Sequence, residues 1–253
     1  MTLFVQPIRF TDNLDDVTKL LVSLGLSVNI TSDKGGWVEL SGQTGTVALH
    51  SASDSAMGVP PGATCLSFAE TELEALARQL VASGFANDGH PDESMVYDEA
   101  YGRAITITLG GDQLVINGRS DDLYGYSSTG IEPGIGDLRV TPIRFVDDQA
   151  PDRRLLEALG FTVVGDAGEH FTQLTLPGAG GSVGLHHTGG GIPVIPTPFA
   201  VQLTFETTIP LAEIIQRSEA AGASAQLHES EFGDYVTISD PDGQEIQVHA
   251  ASA

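Results

Sequence analysis

Apolar residues along the chain follow two periods that take turns. Residues 5–10 alternate, with Gln6, Ile8 and Phe10 on one face and Val5, Pro7 and Arg9 on the other, the two-residue period of a strand. Val17, Leu20, Leu21 and Leu24 follow at helical spacing; Asp12 or Asn13 can cap this helix and Gly25 can stop it. Three further short apolar runs, at 26–30, 37–41 and 46–50, are separated by the turns SDKGG and GQTG. The pattern predicts a βαβββ unit.

It recurs over 65–117, where Leu73, Leu76, Ala77 and Leu80 form a helical stripe before Gly84 and strands are expected near 95–97, 103–109 and 113–117. A third unit repeats the first almost literally. VQPIRFTD (5–12) lies over VTPIRFVD (140–147) and LLVSLGLSV (20–28) over LLEALGFTV (155–163) at an offset of 135. GQTGTVALH (42–50) lies over GAGGSVGLH (178–186) at 136. A fourth unit fills 201–249, with a helix that Pro210 can start and a terminal DYVTISDPDGQEIQVH. Internal repetition fixes architecture. The expected fold is α+β: four βαβββ units in two modules, 1–118 and 137–250, joined by a Gly-, Ser- and Asp-rich linker over 119–136.

A helix covers the apolar face of its strand. That places Ile8, Phe10, Leu66, Phe68, Ile143, Phe145, Leu203 and Phe205 under helices. Arg9, Arg144, Cys65, Ser67, Gln202, Thr204 and Glu206 then point into a cavity, together with Glu245, Gln247 and His249 of the last strand. Arg9 and Arg144 stand beside Asp12 and Asp147, which suggests structural ion pairs.

The 34 acidic and 11 basic side chains give a net charge of -23, which argues against nucleic acid and anionic membranes as partners and for a cationic or neutral small molecule. It also fits a merely solubilising surface. Cys65 is the only cysteine, so no intrachain disulfide or cysteine metal cluster can form. Residues 1–16 carry no basic leader or long apolar core, so the cytoplasm is the default compartment.

The runs RFTDNLDDVTKLLVSLGL, CLSFAETELEALARQLVASGF, RFVDDQAPDRRLLEALGF and DYVTISDPDGQEIQVH resemble the vicinal oxygen chelate superfamily, the glyoxalase and bleomycin-resistance-like proteins. The resemblance covers nearly all of the chain outside the linker. It implies paired βαβββ units around a cupped mixed sheet with outer helices, and, in many members, a divalent metal held by inward His, Glu or Gln. Carried over residue by residue, those ligand positions fall at Val5, near Ala48, at Cys65 and near Val115, and in the second module at Val140, near Gly184, at Gln202 and at Gln247. Neither set suits a divalent ion, which needs several oxygen or imidazole donors with anionic help. No metal and no cofactor is therefore expected.

The matched histidines His50 and His186 end strands on the cavity side, and His249 shares a face with Gln247 and Glu245. Trp37 and Phe171 are matched aromatics suited to stacking on a planar ligand. His90, His170, His187 and His228 lie in turns or at strand ends. The glycine- and proline-rich connectors 50–63 and 187–199 lack nucleotide-loop spacing. The candidate ligand-binding set is Trp37, His50, Phe171, His186, Gln202, Thr204, Gln247 and His249, with His186, Gln202, Gln247 and His249 as catalytic candidates. The leading expectation is a metal-independent protein that binds or sequesters a small polar or cationic molecule, as in bleomycin-resistance-like proteins. The alternatives are a superfamily lyase, isomerase or dioxygenase with an altered active site, and a degenerate scaffold for protein association; a second copy of the chain is a candidate partner. The second module, richer in inward polar groups, is the expected site.

Overall fold

The computed structural model describes residues 2–55, 58–85, 95–99, 102–109, 112–119, 125–189 and 200–251. The first unit runs β1 (Phe4–Val5), β2 (Ile8–Thr11), α1 (Leu14–Leu24), β3 (Ser27–Ser32), β4 (Trp37–Ser41) and β5 (Thr46–Ser51). The second runs β6 (Thr64–Cys65), β7 (Ser67–Glu70), α2 (Leu73–Ala82), β8 (Val96–Glu99), β9 (Gly102–Leu109) and β10 (Asp112–Gly118). After β11 (Tyr126–Ser128) come β12 (Leu138–Val140), β13 (Ile143–Val146), α3 (Gln149–Ala158), β14 (Thr162–Val163), β15 (Phe171–Thr175) and β16 (Ser182–His187). The last unit is β17 (Val201–Gln202), β18 (Thr204–Thr207), α4 (Leu211–Ala220), β19 (Ala225–His228), β20 (Tyr235–Ser239) and β21 (Glu245–Ala250). The expected α+β architecture of four βαβββ units is the one observed.

The helices form where the spacing places them. α1 buries Val17, Leu20, Leu21 and Leu24, and ends where Gly25 adopts a φ of 116°, a left-handed conformation that L side chains rarely adopt. α2 buries Leu73, Leu76, Ala77 and Leu80. Asn13 occupies the N-cap of α1 but leaves the helix uncapped by its side chain. Its amide donates instead to Asp242 at 2.8 Å, in the other half of the molecule.

In each half the first strands of two units lie antiparallel at the centre and kink, so that each contributes to both sheets. β1 pairs with β7 and β2 with β6, in one continuous register: Val5 opposite Phe68, Ile8 opposite Cys65. β12 pairs with β18 and β13 with β17 likewise, with Val140 opposite Phe205 and Ile143 opposite Gln202. Parallel pairing of β2 with β5, β10 with β7, β13 with β16 and β18 with β21 completes two curled surfaces. Each is a cup whose convex side carries two helices. The segment after β10 is built into the first cup: β11 extends its edge by pairing with β3, and Arg119 reaches its interior.

One expectation about facing is reversed. Ile8 and Phe10 lie beside Ala48 and His50 and form a cluster with Cys65, Ala52, Val59, Ala63 and Trp37, separate from the helices. They face the cup, as do Ile143 and Phe145, whose register partners are Gly184 and His186. Arg9, beside Leu49, faces the helical side. That side is dry because the other module docks there: a single apolar cluster takes residues from all four helices and all four units.

Two reciprocal sets of contacts hold the modules. The Val5 amide donates to the Gly180 carbonyl at 2.8 Å and the Val140 amide to the Thr44 carbonyl at 2.9 Å. Here Gly45 and Gly181 are needed for close approach, since a Cβ on Gly45 would stand 2.9 Å from that of Val140 and one on Gly181 3.1 Å from that of Val5. Arg9 pairs with Asp240 in the terminal DPDG turn, and Arg144 pairs with Asp112 at the start of β10 in the first module at 2.8 Å and with Asp152 at 2.6 Å. These partners replace the expected Asp12 and Asp147, which instead accept from the Ser53 amide and the Thr188 hydroxyl. The arginines are structural: Asp240 and Asp112 answer them from across the module boundary, and Asp152 answers Arg144 from α3 of its own module.

Candidate functional site

Matched strands give the two cups matched rings. In the first, His50 sits 5.6 Å from Phe10 and 5.8 Å, edge-on, from Trp37. In the second, His186 sits 5.3 Å from Phe145 and 6.1 Å from Phe171. Each histidine donates from Nδ1 to the carbonyl of the next residue, Ser51 at 2.7 Å and His187 at 2.9 Å, which leaves Nε2 as the lone-pair nitrogen.

Beyond the rings the cups diverge. The first is closed around Glu39, whose carboxylate accepts from Gln6, from Asn29 at 3.0 Å and from Arg119 at 2.9 Å. Asn117 in turn donates to the Gln6 carbonyl oxygen at 3.0 Å, and Arg119 also pairs with Glu132 and lies over the Phe4 ring. Burial pushes the Glu39 carboxyl above its usual range, against the opposing pull of Arg119. Apolar side chains fill the rest, and the Cys65 thiol, opposite Ile8, is pushed up to about 12 by burial. No thiolate chemistry follows from such a thiol.

The second cup carries Gln202 where the first has Cys65, and Thr141 where the first has Gln6. Gln202 is 2% exposed and Thr141 6% exposed. The Gln202 amide donates to the Glu245 carbonyl, but its Oε1 has no hydrogen-bond partner, and neither has Thr141 Oγ1. On the adjoining wall His249, Tyr235 and His228 stack in sequence at 5.0 and 4.9 Å with 15° between planes. His249 donates from Nε2 to the Gln247 carbonyl oxygen at 3.2 Å, Gln247 donates to Glu245 at 2.9 Å, and Gln173 reaches Glu206 at 2.8 Å. Burial lowers the His249 pKa, so its ring stays neutral near pH 7. Thr204, 2% exposed, donates to the Gln202 carbonyl at 3.4 Å.

Of the candidate residues, Trp37 and His50 therefore meet in the first cup. Phe171, His186, Gln202, Thr204, Gln247 and His249 line the second. His228, at the end of its strand as expected, joins the ring stack, while His90 and residues 190–199 of the second connector lie outside the described residues. The first-strand positions facing the cups are Gln6 and Thr141, one residue on from the Val5 and Val140 to which the resemblance pointed. Both valines are fully buried in the shared core. Pattern reading also passed over Glu39, Arg119, Gln173 and Tyr235. The repeat did hold a signal for two of these: the offset of 134 that matches Trp37 with Phe171 also matches Glu39 with Gln173.

A divalent ion does not fit these donors. The cup-facing positions on the relevant strands carry Gln6, Ala48, Cys65 and Val115 in one module and Thr141, Gly184, Gln202 and Gln247 in the other, with Glu206 committed to Gln173. Among the described residues, no group of three or more His, Cys, Asp or Glu side chains is placed to hold a metal ion. A surface depression of about 390 Å³ beside the start of α3 includes Asp147, Asp148, Glu169 and His187, but no buried unpartnered polar atom lies in it. No helix among the described residues is long and apolar enough to cross a membrane.

No protein-family profile matches the chain. No curated protein matches it either. Solved structures do match. A catechol 2,3-dioxygenase superposes with a TM-score of 0.55 at 18% identity, over 98% of this chain and 87% of that one. The 2,3-dioxygenase LapB from Pseudomonas sp. KL28 gives 0.57 at 14% identity, over 99% and 91%. A Mn(II)-bound glyoxalase from Novosphingobium aromaticivorans gives 0.56 at 13%, over 98% and 80%. The fold is thus the one these dioxygenase and glyoxalase structures share, with two tandem modules of paired βαβββ units.

Proposed function

We propose that the second cup binds a small polar or cationic ring-bearing molecule without the help of a metal ion, and that the protein sequesters this molecule in the manner of bleomycin-resistance-like proteins. The observation that carries the reading is the pair of buried, unpartnered oxygens, Gln202 Oε1 and Thr141 Oγ1. A buried polar group without a partner costs about 1 to 3 kcal/mol, which a guest can recover. Rings on both walls supply the apolar contact, and the donor chemistry is unsuited to Lewis-acid catalysis. The fold itself supports binding or catalysis alike.

A thermal-shift screen against cationic antibiotics, methylglyoxal adducts and catechols, each with and without divalent metals, tests this reading. Occupancy at 100 times the dissociation constant stabilises by about 2.7 kcal/mol. A metal-independent hit that is lost in Gln202→Leu supports it; stabilisation that requires a metal overturns it. One observation favours a second reading, an altered enzyme: His249 is neutral, with an unprotonated Nδ1, on the same cup face as Glu206. Mass analysis of the incubated hit separates the two, since only an enzyme consumes it. A hitless screen leaves protein association as the surviving role.

A further inference from the structure

We infer that the guest of the second cup is a planar organic cation that donates at least two N–H bonds, of the amidinium, guanidinium or protonated aminoheterocycle class; this rests on the preceding reading of the cup. The argument is a count of donors and acceptors. The side-chain amides of Gln173, Gln202 and Gln247 donate to the Glu206 carboxylate, the Glu245 carbonyl and the Glu245 carboxylate. All three partners can only accept, so each amide has its orientation fixed with the oxygen turned away from them. The same logic fixes both imidazoles: His186 carries its proton on Nδ1, facing a carbonyl, and His249 on Nε2, facing the Gln247 amide oxygen. The Thr204 hydroxyl is directed to a carbonyl as well.

What remains unspent is acceptor capacity. Gln202 Oε1 is buried and unpartnered, the second Glu206 oxygen is uncommitted, and His186 Nε2 and His249 Nδ1 hold lone pairs; the Thr141 hydroxyl, also unpartnered, can accept as readily as donate. Of the cationic side chains on these strands, Arg144 lies on the helical side, paired with Asp112 and Asp152, and Arg139, opposite Glu206 in register, turns its guanidinium to Gln43 of the first module at 3.0 Å. A carboxylate or phosphate would therefore meet acceptors and a carboxylate. A cation with N–H groups would meet complementary partners, and a flat one could lie against the His249, Tyr235 and His228 faces or the Phe145 and Phe171 rings.

The test uses three probes of one shape and three charges: benzamidine, benzamide and benzoate. Each is titrated calorimetrically into the whole chain at physiological salt, with the imidazole proton signals of His186 and His249 followed by NMR. Benzamidine is expected to bind saturably at one site per chain and to move both signals. Gln202→Leu and Glu206→Gln, each confirmed folded by circular dichroism, should weaken it at least about tenfold. Benzoate should not bind. If benzoate or benzamide binds as well as benzamidine, with the same signals moved and the same dependence on Gln202, the ligand class is wrong and the cup remains the site. If benzamidine binds but neither variant weakens it, it is held by the acidic surface, and both the class and the cup fall. Failure of benzamidine to saturate below about 10 mM also overturns the class.

Discussion

Opposite the isoleucine of its first strand, one cup places Cys65 and the other Gln202; two residues back along that strand, one places Gln6 and the other Thr141. The central strands match in register, so at these positions the difference is one of side chains. In the first cup the polar side chains around Glu39 answer one another: Gln6, Asn29, Asn117 and Arg119 are gathered on Glu39 or on one another. In the second, the corresponding positions leave two buried oxygens without partners. One copy is a closed polar network and the other leaves acceptors open. The two can differ in this way because each module lends the other its convex face.

The sharpest way to break this contrast is to remove the centre of the first network. Glu39→Ala orphans buried Gln6 and Asn29 and leaves the part-buried Arg119 with only the exposed Glu132, and urea unfolding should show a loss of about 3 to 5 kcal/mol. Its counterpart Gln173→Ala, at a half-buried position, should lose about 1 kcal/mol. Equal losses would mean that the second cup is also a closed network.

A reversal of sign comes next. Gln6→Leu should destabilise by about 2 kcal/mol, because it orphans groups that now have partners. Thr141→Val removes a hydroxyl that has none, so it should leave the ligand-free protein unchanged or more stable by about 1 kcal/mol while weakening the guest; Gln202→Leu removes one unpartnered oxygen but also the amide bond to the Glu245 carbonyl, so the two should offset to within about 1 kcal/mol. A clear loss of stability in Thr141→Val would place an unseen partner on its hydroxyl and undo the comparison.

Acid should act on the cups in opposite directions. The folded pKa of Glu39 is raised above its ordinary 4.5, so the folded state holds the extra proton and this residue's contribution falls as pH rises from 4.5 through the folded value. That of His249 is lowered below 6.5, so the unfolded state binds the extra proton and its contribution falls as pH drops below 6.5. Denaturation midpoints across pH 4 to 7 should show Glu39→Gln gaining on the parent as pH rises and His249→Gln gaining as it falls. Parallel trends would contradict the assignment. The smallest effect is kinetic: iodoacetamide at pH 8 should leave native Cys65 unmodified and alkylate it fully in denaturant, since burial holds the thiol near 12. Rapid native labelling would mean that the first cup opens.

Much of this fold was legible in the chain. The stripes of α1 and α2, the stop at Gly25 and the inward course of Glu245, Gln247 and His249 all follow from spacing. The facing of β2 was not legible, because alternation separates a dry face from a wet one and β2 is buried on both. One side is covered by helices and the second module, the other by the filling of its own cup, and Arg9 looked like a cavity residue because its partner is 231 positions away. The site was half legible. Gln202, Thr204, His186 and His249 stand out as polar residues at strand-internal positions, but what distinguishes the cups is which polar atoms lack partners. That depends on long-range geometry such as the Gln6 to Glu39 contact, and no local pattern encodes it.

The reciprocal arginine pairs also set an order of assembly during synthesis. When β13 emerges from the ribosome, Asp112 has already been made, so Arg144 finds its partner waiting. Arg9 emerges early, yet its partner Asp240 follows 231 positions later. Until then a guanidinium destined for complete burial stays hydrated at the edge of a finished sheet, and the first module keeps an open flank. Completion of the first strand's surroundings is thus postponed to the turn at Asp240, and a nascent chain halted before residue 240 should hold the first module only loosely.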